Sequence, residues 1–135
     1  MNIAILGAGH MGAWLVEEFN QEHEVAVYDK DPQKMKYLFR VNRLEEIQEV
    51  EEFKPDLLIN AVDLPHTIQA FEEVLQYLPK DCIIADIASV KRGLENFYEK
   101  TEQPFVSTHP MFGPTFANIR DLSNENAVII KESCK

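Results

Sequence analysis

The chain has 135 residues, of which 45% are hydrophobic and 27% charged, and its formal net charge is -10. This length suits a single domain, and the composition is typical of soluble globular proteins and not of disordered ones. The negative charge opposes nucleic-acid binding, which depends on Lys and Arg, and no apolar run reaches the roughly 20 residues needed to cross a bilayer. We therefore expect a cytoplasmic protein with neither a nucleic-acid nor a membrane partner.

Short aliphatic runs alternate with segments of helical periodicity, a pattern typical of repeated βαβ units. The expected strands, in chain order, are 2–6, 24–28, a short one near Val41, 56–62, 82–87, 105–108 and 127–130. Helices are expected between them: one after a glycine turn, one from Asp31 to about Phe39, one through Phe53, one from Pro65 through Leu78, and one from Ser89 or Val90 through Tyr98.

These elements predict one α/β domain of the Rossmann type over residues 1–135. Its sheet is expected to be doubly wound and mainly parallel, with helices on both faces. The apolar strand at 127–130 is followed by only five residues, so the chain is either a piece of a longer protein or a natural short one.

A Gly-x-Gly-x-x-Gly turn follows the first predicted strand and opens the first predicted helix. In this pattern Gly7 permits the tight turn, Gly9 lets the backbone approach a pyrophosphate, and Gly12 allows close packing of helix on strand. The pyrophosphate lies at the helix N-terminus, where backbone N–H groups have no partner. His10 and Met11 fill the variable positions, where they either line the cofactor or only begin the helix.

An acidic residue, Asp29, ends the second predicted strand, as the dinucleotide pattern requires. Its carboxylate is expected to accept hydrogen bonds from the adenine-ribose hydroxyls and to repel the extra phosphate of NADP. Lys30 adjoins it, but no arginine does, so the expected cofactor is NAD. The segment from Asn60 to Asp63 lies at the carboxyl end of another predicted strand, at the same sheet edge, and Val62 and Asp63 are expected to contact NAD there through the backbone. The alternative is that the glycines form only a tight turn and that Asp29 caps the next helix.

Two later segments, Asp86 to Lys91 and His109 to Pro114, begin at the carboxyl ends of predicted strands. This is the edge where the nicotinamide of NAD is expected, so Ser89 is a candidate both for binding the cofactor and for catalysis. Oxidation of an alcohol needs a base that titrates near neutrality, and His109 is the candidate. Alternatively, Ser89 only caps a helix and His109 is a structural strand-end histidine. Lys91, one turn into its predicted helix, could face substrate anions or solvent, and solvent is expected.

The cysteines and histidines show no spacing typical of a metal site. Cys82 and Cys134 lie far apart, and no histidine pair has metal-ligand spacing. We expect ordinary thiols and no metal.

The glycine turn, the D-x-x-S-x-K segment ending at Lys91 and the H-P-M-F-G-P segment starting at His109 together resemble the prephenate and arogenate dehydrogenases of tyrosine biosynthesis. The resemblance covers essentially the whole chain and corresponds to the nucleotide-binding domain of that family. It implies NAD-dependent oxidation of the ring alcohol of prephenate, with loss of carbon dioxide to give 4-hydroxyphenylpyruvate. It also implies that His109 accepts the hydroxyl proton and that Ser89 orients His109.

The family continues into a helical domain that supplies dimer contacts and an arginine for the substrate carboxylate, and nothing in this chain matches that domain. The resemblance therefore implies the cofactor-binding part of a homodimeric enzyme acting on a small-molecule substrate.

Two other functions remain open at this stage. A different NAD-dependent reductase, acting on imines or 3-hydroxy acids, would share the glycine turn but is not expected to carry H-P-M-F-G-P. A stand-alone NAD-sensing module is favoured by the missing substrate arginine, whereas Ser89 and His109 oppose it.

Overall fold

The computed structural model describes residues 1–110 and 126–130. These residues form a seven-stranded sheet in the order β3-β2-β1-β4-β5-β6-β7, in which β7 alone is antiparallel to its neighbour. The strands are β1 (Asn2–Leu6), β2 (Glu24–Tyr28), β3 (Asn42–Arg43), β4 (Leu57–Asn60), β5 (Ile83–Asp86), β6 (Phe105–Pro110) and β7 (Ala127–Ile129), and the α-helices are α1 (His10–Phe19), α2 (Val50–Phe53), α3 (Thr67–Val74) and α4 (Leu94–Lys100).

Side chains alternate between the two faces of the sheet along each strand, and each face packs against its own buried cluster. On one face, Ile3 and Ile5 of β1 belong to a buried cluster that includes Leu15 of α1. On the other face, Leu6 belongs to a second cluster that includes Phe71 of α3. The predicted doubly wound Rossmann-type fold is thus confirmed.

The winding direction changes beside β1, which is hydrogen-bonded to β2 on one side and to β4 on the other. Leu6, its last residue, is in register with both Tyr28 and Asn60. In open α/β sheets, ligands bind at such a switch point, outside the carboxyl ends of the strands. The segments that follow β1 and β4 therefore form the walls of the expected crevice.

The helix predicted from Asp31 to about Phe39 is wrong. Only a 3-10 turn, Pro32–Met35, is present, and the Asp31 carboxylate accepts a hydrogen bond from the Gln33 N–H at its start. Met35 and Leu38 are buried, whereas Tyr37 and Phe39 are 75% and 69% exposed. One turn suffices to bury the two core residues, so no apolar stripe supports a longer helix.

The predicted start of the next helix, at Ser89 or Val90, is also wrong. α4 begins at Leu94, after Gly93 with a φ of 84°. Residues 87–91 form an irregular loop instead, because polar contacts of the Asp86 carboxylate hold both Ala88 and Lys91. Ser89 is therefore not a helix cap.

Two further predicted helices contain α-helical segments shorter than expected. The segment through Phe53 contains a 3-10 turn, Ile47–Glu49, before the four residues of α2, and α3 has a 3-10 turn at each end, Leu64–His66 and Leu75–Tyr77. Among the described residues, no helix has the length and apolar character needed to cross a membrane.

Candidate functional site

A cleft of about 650 Å³ opens at the carboxyl edge of the sheet, between the glycine turn, the end of β2 and helix α3. All the predicted cofactor-binding residues except Gly12 and Ser89 line it: Gly7, Gly9, His10, Met11, Asp29, Val62 and Asp63. The structure thus brings together residues from three separate parts of the sequence.

The glycine turn has the shape that a bound pyrophosphate needs. Gly7 has a φ of 92°, and a Cβ on it would lie 2.8 Å from the Ala61 carbonyl oxygen. A Cβ on Gly12 would overlap the Gly7 carbonyl oxygen, whereas a Cβ on Gly9 would meet no atom of the described residues within 4 Å. α1 also has no side-chain cap at Gly9. Open space beside an uncapped helix N-terminus fits a pyrophosphate group.

The carboxylate of Asp29 joins the end of β2 to the glycine turn. Its Oδ2 accepts a hydrogen bond from the Ala8 N–H at 2.8 Å, and its Oδ1 accepts one from the Asp31 N–H at 2.8 Å. A carboxylate offers about four acceptor positions, so both oxygens can also accept from a ribose hydroxyl. The alternative role for Asp29, as cap of the next helical segment, is wrong because Asp31 fills that position.

The opposite wall of the cleft is held by the side chains of Asn60, which was expected at this edge, and of Thr67, which was not; neither side-chain role was predicted. The buried Asn60 side chain donates to the Thr67 carbonyl at 2.8 Å and accepts from the Val62 N–H at 3.1 Å. The Thr67 hydroxyl lies 3.0 Å from the carbonyl oxygens of both Val62 and Asp63. These bonds fix the backbone of Val62 and Asp63 beside the glycine turn.

Charged side chains from the loop after β2 and from α3 meet at the rim of the cleft. Lys30 Nζ lies 3.2 Å from Glu73 Oε1, and the Gln69 amide donates to the same oxygen at 3.1 Å. Tyr28 lies beside them, and partial burial, followed by the charge of Glu46, raises the pKa of its hydroxyl. The ammonium group of Lys30, the residue after Asp29, is therefore paired with a neighbouring carboxylate.

A second polar group lies farther along the same sheet edge, where β5 and β6 end. Asp86 is fully buried, and its Oδ1 accepts hydrogen bonds from the Ala88 N–H at 2.9 Å and from Lys91 Nζ at 2.6 Å. Its Oδ2 accepts from the Tyr98 hydroxyl at 2.6 Å. Burial, together with the charge of Asp86, raises the pKa of Tyr98 well above its usual range.

Lys91 also donates to the carbonyl oxygen of Thr108 at 2.6 Å. The expectation that Lys91 faces solvent is wrong, because its ammonium group bridges a buried carboxylate and a strand carbonyl.

The two candidate catalytic residues lie outside the cleft. Ser89 is exposed in the loop after β5, and His109 is half-buried in β6, opposite Val128 of β7. Ser89 follows β5 and His109 is the penultimate residue of β6, and both strands lie on the far side of the switch point from Asp29. Residues 111–114 of the H-P-M-F-G-P segment lie outside the described residues, as does Cys134.

Comparison with known proteins gives one family and several relatives. The family model described as prephenate dehydrogenase, nucleotide-binding domain, matches residues 15–130. A probable arogenate/prephenate dehydrogenase of Methanocaldococcus jannaschii is 28% identical over 128 residues, covering 85% of this chain and 27% of the relative.

Two solved structures share the fold. One is the prephenate dehydrogenase of Aquifex aeolicus in complex with hydroxyphenyl propionate and NAD+, with a TM-score of 0.79 at 20% identity. The other is the arogenate dehydrogenase of Synechocystis, with a TM-score of 0.80 at 17% identity. Each match covers all of this chain and 52% of the solved chain.

This chain therefore spans about half the length of those solved proteins and about a quarter of the curated relative. The structural matches establish the fold, and the family model, which extends over most of the chain, establishes the relationship. The chain belongs to the family of prephenate dehydrogenase nucleotide-binding domains.

Proposed function

We propose that this chain is the NAD-binding part of a dehydrogenase that oxidises prephenate to 4-hydroxyphenylpyruvate. The observation that carries the proposal is the cleft at the switch point, where the uncapped start of α1 faces open space beside Gly9 and Asp29 lies at the rim. The NAD+ complex of the Aquifex aeolicus relative supports the choice of cofactor.

In this proposal the pyrophosphate lies against the backbone N–H groups that begin α1. The adenine ribose donates to the Asp29 carboxylate, and the backbone of Val62 and Asp63 forms the facing wall. NAD is preferred over NADP because Asp29 would repel a ribose phosphate and because Lys30 is paired with Glu73.

When bound, NAD supplies an acceptor for the hydride that leaves the ring carbon. His109 accepts the proton of the ring hydroxyl, which makes loss of hydride from the same carbon easier. His109 returns that proton to the oxygen as the ring carboxylate leaves as carbon dioxide and the ring becomes aromatic. Ser89 orients His109 and the reacting groups.

The remaining parts of the enzyme are proposed to lie beyond this chain. Residues that bind the substrate carboxylates and form a homodimer would belong to a helical domain, in keeping with the greater length of the relatives. Cytoplasmic location is part of the same proposal.

Two measurements test this function. The first is calorimetric titration of the chain with NAD, where we expect one site per chain; absence of binding would contradict the proposal.

The second is turnover of prephenate and arogenate by the full protein that contains this segment. We expect a His109→Asn variant to lose about 10²- to 10⁴-fold in kcat. Full turnover by that variant would rule out the role given to His109.

The same assays separate the alternatives. NAD binding with no oxidation of prephenate or arogenate would favour an NAD-sensing module. Turnover of imines or 3-hydroxy acids alone would favour a different reductase.

A further inference from the structure

We propose that Lys91 is a positioning residue that fixes the loop carrying Ser89 relative to the strand carrying His109. The inference rests on the proposed function, in which these two side chains act at the nicotinamide end of NAD. Lys91 itself touches neither cofactor nor substrate in this proposal.

The geometry places one ammonium group between the two segments. Lys91 Nζ donates to Asp86 Oδ1 at 2.6 Å, and Asp86 is the last residue of β5. The same nitrogen donates to the carbonyl of Thr108 at 2.6 Å, immediately before His109. Because Lys91 is two residues from Ser89 and Thr108 is one residue from His109, movement of either segment would break one of these bonds.

The carboxylate at the centre of this arrangement is itself held rigidly. Besides Lys91, it accepts hydrogen bonds from the Ala88 N–H and from the Tyr98 hydroxyl. The Tyr98 ring stacks on Phe105 of β6, with ring centroids 4.1 Å apart. The Thr108 hydroxyl donates to the Asp86 carbonyl at 3.0 Å, which adds a second link between the strands.

Burial explains why this ion pair points to positioning. Asp86 is fully buried and the Lys91 side chain is only 26% exposed. A buried ion pair contributes little net stability compared with apolar side chains of similar volume, because both charges lose their hydration. What the pair supplies here is a fixed geometry at the ends of β5 and β6.

The first test uses this chain and nuclear magnetic resonance. The variant is Lys91→Met, and the matched control is Lys80→Met, which removes an exposed lysine just before β5. The His109→Asn variant identifies which of the imidazole signals from the four histidines belongs to His109. We expect Lys91→Met to shift or broaden the His109 signals while those of His10 and His23 stay in place, and Lys80→Met to change none. Unaltered His109 signals in folded Lys91→Met would overturn the proposal.

The second test uses turnover by the full protein. We expect Lys91→Met to lower kcat by about 10- to 100-fold with little change in the KM for NAD, because small misplacement of reacting groups is costly and Lys91 does not line the cleft. Lys91→Arg can donate to both Asp86 Oδ1 and the Thr108 carbonyl oxygen, so this variant should keep most of the wild-type kcat. A loss of kcat that only follows the folded fraction would show a structural role alone.

Because Lys91→Met leaves the Asp86 carboxylate buried without its cation, this variant is at risk of unfolding. The double variant Asp86→Asn, Lys91→Met removes both charges, and the Asn side chain can accept from the Ala88 N–H and donate to the Tyr98 hydroxyl oxygen. It should fold and still show the perturbed His109 signals, and wild-type signals in it would also overturn the proposal. If the wild-type full protein oxidises neither prephenate nor arogenate, the proposed function fails, while the resonance test still decides the positioning role.

Discussion

Two single methyl groups added to the glycine turn should have opposite effects on folding and binding. In Gly9→Ala, the new Cβ meets nothing within 4 Å, and the backbone angles of -71° and -165° are allowed for alanine. Alanine is a poorer helix N-cap than glycine, but it also restricts the unfolded chain. These effects oppose each other, so we expect the free energy of unfolding to change by less than about 1 kcal/mol.

Binding should respond differently, because the open space beside Gly9 is where the pyrophosphate is proposed to lie. A methyl group forced against a closely packed neighbour costs about 1–3 kcal/mol. This corresponds to an increase of about 5- to 150-fold in the Kd for NAD. Urea unfolding followed by circular dichroism and calorimetric titration with NAD measure the two quantities on the same sample.

Gly12→Ala is the matched variant whose methyl group has no room. Its Cβ would overlap the Gly7 carbonyl oxygen and lie 2.8 Å from the Gly7 carbonyl carbon, and backbone atoms cannot move aside as a flexible side chain can. We expect a loss of about 3 kcal/mol or more in stability. Wild-type NAD affinity in Gly9→Ala would refute the placement of the pyrophosphate, and wild-type stability in Gly12→Ala would refute the packing of α1 on the turn.

Two further outcomes are expected from charged and titrating groups. Glu73→Gln should free Lys30 and lower the Kd for NADP relative to NAD by about 1.4- to 5-fold, in keeping with the roughly 0.2–1 kcal/mol of an exposed ion pair; equal ratios in this variant and in an exposed control, Glu72→Gln, would show that the pair has no part in selectivity. Burial raises the pKa of Cys82 from 9.0 to about 12, and the pKa of Tyr98 is raised as well, so above about pH 9 the unfolded chain loses protons that the folded chain keeps. Stability should therefore fall as pH rises, by up to about 1.4 kcal/mol per pH unit for each group, and urea midpoints that stay constant from pH 8 to 11 would contradict this.

The sheet could be predicted from the sequence because its signals are local. β1 and β2 have the predicted bounds, since the runs Asn2–Leu6 and Glu24–Tyr28 combine aliphatic residues with clear turn residues directly after them. The glycine turn was equally readable, because its three glycines meet local needs of the turn and of helix packing.

The start of α4 could not be predicted in this way. Ser89 is a good helix cap by local preference, but the loop after β5 is shaped by Lys91, whose second partner, Thr108, lies 17 residues away. Local propensity carries no information about such a long-range bond. The same limit applies to the rim of the cleft, where Glu73 of α3 meets Lys30 across 43 residues.

The central claim, that this chain holds NAD on the glycine turn and Asp29, is tested most directly by calorimetric titration of wild type and Asp29→Asn with NAD and with NADP. Hydrogen bonds to a charged group contribute about 1.5–3 kcal/mol, so the wild type should bind NAD at least about 10-fold more tightly than NADP, and Asp29→Asn should lose most of that preference. Tighter binding of NADP than of NAD by the wild type, or an unchanged preference in Asp29→Asn, would contradict the claim.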